Sequence, residues 1–321
     1  MSMRKAIFRK VLLPTMALVA LLFAYVAGAY SLAKNVWPIQ ELRNIRNFLV
    51  GSHQSVTRRL MTADAAKFDF LDRLVIYPGK IEASCPMQDA RTGVFLLVGQ
   101  SNAANHAGQR YASEYGERVL NYFSQKCYVS QSPLLGTTGQ WGESWTLFGN
   151  KVIETGLFDT VILVPAGIKG ASVSRWQIGG DLNKMLLEVI DSLKHQYRIT
   201  HVLWHQGERD FEDGMPGNDY TRRFKSMLAA IRDKGVDAPV FVSVATKCGK
   251  NLAWNSNNPV ASAQKSLPRH ADRVFPGVDT DDLLSELDRF DDCHLSATGQ
   301  EQFAKAWILA IKNASQNSPA K

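Results

Sequence analysis

The stretch 95-FLLVGQSNAANHAG-108 decides how the rest of the chain is read. Four apolar residues, Phe95 to Val98, run into Gly99 and then into the polar turn Gln100-Ser101-Asn102. A short, continuous apolar run of this kind fits a strand buried on both faces. A strand that only has to stop can do so at Gly-Asn or Pro-Asp, but this one ends on a serine. Ser101 has chemistry to do only if the chain supplies a base for its hydroxyl and donors for the charge its attack creates.

From about Arg91 onward, short apolar runs alternate with longer amphipathic stretches. The runs are GVFLLV (93–98), TVILVP (160–165), HVLW (201–204), PVFVSVA (239–245) and RVFPGVDT (273–280). Between them lie the helical patterns 181–197, 218–235 and 297–313, with Asp181 and Asn218 as N-caps and Gly235 as a stop. The alternation predicts an α/β fold with a parallel sheet covered on both faces. Ligands in such folds bind beyond the carboxyl ends of the strands. Polar residues gather there. Gln100-Ser101-Asn102 follows the first run, AGIKGAS the second, and His205-Gln206-Gly207-Glu208 the third; DDCHLSATG follows the fifth.

The chemistry assigns a part to each. Ser101 is the candidate nucleophile and His294 the base that takes its proton near neutral pH. Asp291, three residues before His294, can turn back to the other ring nitrogen and fix the tautomer, with Asp292 and Asp288 as rivals. The amides of Ser101 and Gly170 and the side chain of Gln206 are the expected oxyanion donors. Glu208 reads as a buried support for the nucleophile loop, in preference to a second acid. A two-carboxylate glycosidase would leave Ser101 and His294 without work. Gln100 and Asn102 are expected to fix the loop, and Lys169, Trp176 and Trp254 to border the substrate. His205 reads as structural or as a pocket wall; His106 is open to either role. No metal or cofactor is implied.

The net charge is +7, but Arg4, Lys5, Arg9, Lys10 and Lys34 carry five of those charges. The remainder is too small and too interspersed for a nucleic-acid footprint. Val11 to Ala33 contains no charged residue, and as a helix would be roughly 34 Å long, enough to cross a bilayer core. The cations before it favour a cytoplasmic N-terminus. A cleaved signal peptide ending near Ala27-Gly28-Ala29 is the alternative. Either way the catalytic part is expected outside the cytoplasm, anchored to the membrane or secreted. The expected divisions are a basic stub and anchor (1–34), a juxtamembrane spacer (35–86), a catalytic domain (87–313) and a frayed tail (314–321). Cys85, Cys127, Cys248 and Cys293 could form two disulfides in an oxidising compartment, and three pairings are open.

The blocks VGQSNAANHAG, PAGIKGASVSRW, LWHQGERD, Ala263-Gln264 and DDCHLSATG resemble those of the SGNH-hydrolase superfamily. More narrowly, they are similar to its sialate O-acetylesterase-like branch, which includes carbohydrate esterases of the sixth family. The resemblance runs from Arg91 to Asn313. It implies a three-layer α/β/α sandwich on a flavodoxin-like, mainly parallel five-stranded sheet, and metal-independent deacylation through a seryl-acyl intermediate. Two departures stand out. Lys169-Gly170 replaces the usual Gly-Gly, and the superfamily's G-x-N-D asparagine is missing, which leaves its donor role to Gln206. The implied activity is removal of O-acetyl groups from a sugar or an envelope or extracellular polysaccharide. Transfer of the acyl group to a glycan hydroxyl, or non-catalytic glycan binding on the same scaffold, are the alternatives.

Overall fold

A computed structural model describes residues 66–249 and 258–316. Its strands are β1 (Lys67–Phe68), β2 (Leu74–Ile76), β3 (Glu82–Ala83), β4 (Thr92–Gly99) and β5 (Val119–Phe123), then β6 (Lys126–Val129), β7 (Thr160–Pro165), β8 (His201–His205), β9 (Val240–Val244) and β10 (Val274–Asp279). The helices are α1 (Trp145–Glu154), α2 (Asp181–Leu193), α3 (Glu208–Glu212), α4 (Gly217–Asp233), α5 (Pro259–Ser266), α6 (Thr280–Leu283) and α7 (Ala297–Gln316).

The main sheet has the order β10-β9-β8-β4-β7-β5-β6-β3. From β10 to β5 neighbouring strands are parallel; β6 and β3 are antiparallel to theirs. The five expected strands are all present and adjacent. Numbered among themselves along the chain, they lie in the order 2-1-3-4-5 of a doubly wound sheet. The expected strand number of five is corrected to eight. The pair β5–β6 escaped because its two-residue turn is Ser124-Gln125, with φ of 49° and 64°. Such left-handed turns normally announce themselves by Asn-Gly or Asp-Gly. The third addition, β3, is two residues long and pairs with β6 beside the Cys85–Cys127 disulfide.

Alternating side chains of β4 divide the core. Val94, Leu96 and Val98 pack in one cluster with Met185, Leu186 and Ile190 of α2 and with Phe224 and Met227 of α4. Phe95 and Leu97 pack in the other with Trp145 and Phe148 of α1 and Phe303 and Trp307 of α7. Each fully buried side chain of this size contributes about 1.5–3 kcal/mol, so both helical layers are held by apolar burial. The result is a three-layer α/β/α arrangement around a mixed sheet.

No described helix is long and apolar enough to cross a membrane. The expected anchor (11–33), most of the expected spacer, Trp254 and the last five residues lie outside the described residues.

Candidate active site

Register brings the strand ends to one level. Gly99 of β4 stands opposite His205 of β8, and Leu97 opposite Pro165 of β7. Ser101 follows at once, in a single 3-10 turn from Ser101 to Ala103, and is 4% exposed. The close approach depends on Gly99: its φ is 151°, and a Cβ there would sit 1.9 Å from the His205 carbonyl oxygen. Gln100 pins the turn to the neighbouring strand end. Its amide donates to His205 O at 3.1 Å, and its Oε1 accepts from the Gly207 and Arg209 amides at 3.4 and 3.3 Å.

Asn102 links three elements. Its Nδ2 donates to Glu208 Oε1 at 2.9 Å and to the Cys293 carbonyl at 3.3 Å. Glu208 is fully buried, which pushes its carboxyl pKa up to about 7 against the opposing Asn102 hydrogen bond. Burial, with Arg289 nearby, holds His205 down to about 3, so it is neutral. It packs edge-to-face on Phe303. Arg289, itself buried, donates to the same Cys293 carbonyl at 2.6 Å.

The Cys293 carbonyl is the hinge of the second half of the site. The next residue is His294, whose Nδ1 lies 2.7 Å from Asp291 Oδ2. Asp291 Oδ1 also accepts the His294 amide at 2.7 Å, so the four residues from Asp291 to His294 close into a tight loop. A carboxylate can only accept, which assigns the proton to Nδ1 and leaves Nε2 as a free acceptor. Burial alone would raise the Asp291 pKa. The hydrogen bond and charge of His294, with two backbone amides, outweigh it and lower the value. Asp288 instead accepts from Ser285 and Gln302. A disulfide from Cys293 to Cys248 ties this loop to the segment after β9.

The loop after β7 lies against the turn of Ser101. Ile168 donates its amide to Gly99 O at 2.9 Å, and Gly167 packs on the Ala103 carbonyl. Gly170 has φ 62° and open space where a Cβ would project. Neither its amide nor that of Ser101 is engaged by a backbone acceptor among the described residues. Lys169 beside it is exposed.

Two expected roles are corrected. Gln206, expected to offer its side chain to an oxyanion, is 0% exposed and fully committed. Its Nε2 donates to Ala171 O at 2.9 Å and to Asp210 Oδ2, while its Oε1 accepts from Tyr220. It braces the fold beneath the site. Trp176, expected at the substrate, is also 0% exposed and packs edge-to-face on Trp204 in the core. What these expectations missed is Asp210, two residues past Glu208, which accepts from Ser172 Oγ and the Val173 amide. It thereby anchors the Gly170 loop to α3. Gln264, of the Ala263-Gln264 pair, donates to Gln206 O at 2.7 Å and accepts from the Ala245 amide.

The fold is shared with a protein of Arabidopsis thaliana whose structure is 20% identical, with a TM-score of 0.55, covering 71% of this chain and 98% of that one. A psychrotrophic esterase of Pseudoalteromonas is 16% identical (TM-score 0.45; 71% of this chain, all of that one). A carbohydrate acetylesterase of Xanthomonas citri is 13% identical (TM-score 0.47; 71% and 57%). No curated protein matches in sequence. Residues 91–312 match the family described as carbohydrate esterase, sialic acid-specific acetylesterase, and the chain belongs to that family. It is a carboxylic ester hydrolase of the carbohydrate acetylesterase kind.

Proposed function

We propose that the protein removes O-acetyl groups from a sugar or polysaccharide, with Ser101 as nucleophile, His294 as base and Asp291 as its orienting partner. The observation that carries this reading is the 2.7 Å Asp291–His294 pair on a loop whose Cys293 carbonyl is bound by Asn102, the residue after Ser101. Ser101 Oγ attacks the acetyl carbonyl carbon as His294 Nε2 takes its proton. The amides of Ser101 and Gly170 receive the charge on the carbonyl oxygen. The sugar oxygen then leaves with the proton from His294, and Ser101 holds the acetyl group. Water gives a proton to His294 and attacks the carbonyl carbon of that ester; the bond to Ser101 Oγ breaks, Oγ takes the proton back from His294, and acetate is released. Asp291 remains ionised throughout and stabilises the imidazolium.

Placement outside the cytoplasm is part of the proposal. All four cysteines are paired, as Cys85–Cys127 and Cys248–Cys293, which suits an oxidising compartment. The charge-free segment 11–33 would supply the anchor or the export signal.

The test is acetate release from 4-nitrophenyl acetate and an acetylated oligosaccharide, with Ser101→Ala alongside. Loss by a factor of about 10⁴ or more is expected. Release that survives in Ser101→Ala, or no phosphonate adduct on Ser101, overturns the assignment.

A further inference from the structure

The turn that carries Ser101 runs on into Asn105 and His106, and the His106 ring lies on that of His294. The ring centroids are 5.5 Å apart and the planes 27° from parallel. Phe290 contributes a second near-parallel ring, at 6.1 Å and 30°. The Asp291 hydrogen bond fixes one edge of the His294 imidazole but leaves it free to swing about that bond. The two rings set its plane.

We infer that His106 is a positioning residue for His294, and that Thr138 ties it to the loop of Gly170. Resting on the hydrolase reading above, this adds a residue that acyl transfer itself does not use. His106 Nε2 lies 3.3 Å from Thr138 Oγ1, and the same oxygen accepts the Lys169 amide at 2.8 Å. One hydroxyl therefore touches both the ring backing the base and the residue preceding the Gly170 amide. Space for the ring is specific: a Cβ on Gly139 would meet His106 Nε2 at 2.8 Å and the Asn105 carbonyl at 2.4 Å. Burial first, then the charges of His294 and Lys169, lower the His106 pKa to about 3, with Asp291 acting the other way. A neutral neighbour adds no repulsion when His294 takes the serine proton. Burial of His106 thus serves the base directly.

The test separates kcat from KM on 4-nitrophenyl acetate. His106→Ala should lower kcat about tenfold with KM within about twofold, because the substrate still binds while the base is misaimed. His106→Phe keeps a neutral ring and should recover most of that loss. An unchanged kcat in His106→Ala, a change confined to KM, or no recovery in His106→Phe each overturns the inference. A wild-type protein that releases no acetate sinks the hydrolase reading instead. The ring contact is then read by NMR from the His294 Hε1 signal: a shift in His106→Ala supports the contact, and an unmoved signal refutes it.

Discussion

The two halves of the site are held in different ways. The turn of Ser101, the proposed nucleophile, belongs to the centre of the sheet: β4 has neighbours on both sides, Gly99 touches β8, and Ser101 is almost wholly buried. His294, the proposed base, sits on an irregular loop between α6 and α7, with Asp291 partly exposed, and is pinned one bond at a time. Its pins are the Asp291 pair, the Cys248–Cys293 bridge and the two hydrogen bonds to the Cys293 carbonyl. Placing Ser101 is thus inseparable from folding, whereas placing His294 is a separate task.

Several perturbations bear on that contrast. The largest effect is expected from Asp291→Asn, which keeps the shape but loses the carboxylate that selects the tautomer; kcat should fall by up to about 10⁴ with the thermal midpoint little changed. A small loss would mean that another carboxylate orients His294. Next come the disulfides. Paired Cys248→Ser and Cys293→Ser should lower activity about tenfold or more, while Cys85→Ser with Cys127→Ser should lower stability by about 2–4 kcal/mol and spare kcat. Equal effects on activity would erase the distinction between the two halves.

A third effect concerns acid. His106, His201 and His205 have pKa values lowered by burial to about 3, 4 and 3. The unfolded chain binds protons at these groups below about pH 6.5 while the fold refuses them, so stability falls as pH drops from there. Glu208, raised to about 7, acts oppositely between 4.5 and 7, and offsets one histidine. Urea midpoints should decline modestly from pH 7 to 5 and more steeply below 4.5. A midpoint that rises on acidification would show these histidines to be protonated in the fold. The smallest effect is expected from Lys169→Ala, which should raise KM severalfold for an acetylated acidic sugar and leave a neutral one unaffected. Equal changes on both would remove any selection by charge.

Much of the fold was legible in the sequence because five Val-, Ile- and Leu-rich runs each end where polar residues begin. Parallel strands buried on both faces leave that signature. The hairpin of β5 and β6 was not, since Ser124-Gln125 adopts its left-handed turn without the residues that favour one. At the site, spacing brought Asp291 within reach of His294, a local matter of three residues. It could not show which way Gln206 and Trp176 face. A side chain in the segments that follow the strands can point to the rim or to the core, and both of these are drawn inward by partners elsewhere in the chain: Tyr220 for one, Trp204 for the other. Disulfide pairing is likewise a tertiary fact, since both bridges close loops more than forty residues apart.

The bridge beside His294 also bears on the life history of the molecule. A chain made in a reducing cell interior could assemble its sheet and seat its serine, yet lack the staple that holds the imidazole loop. If the chain is exported, as proposed above, oxidation there would complete the site. Assembly and arming would then be separate events, because closing the Cys248–Cys293 bridge acts on the imidazole loop and not on the turn of Ser101.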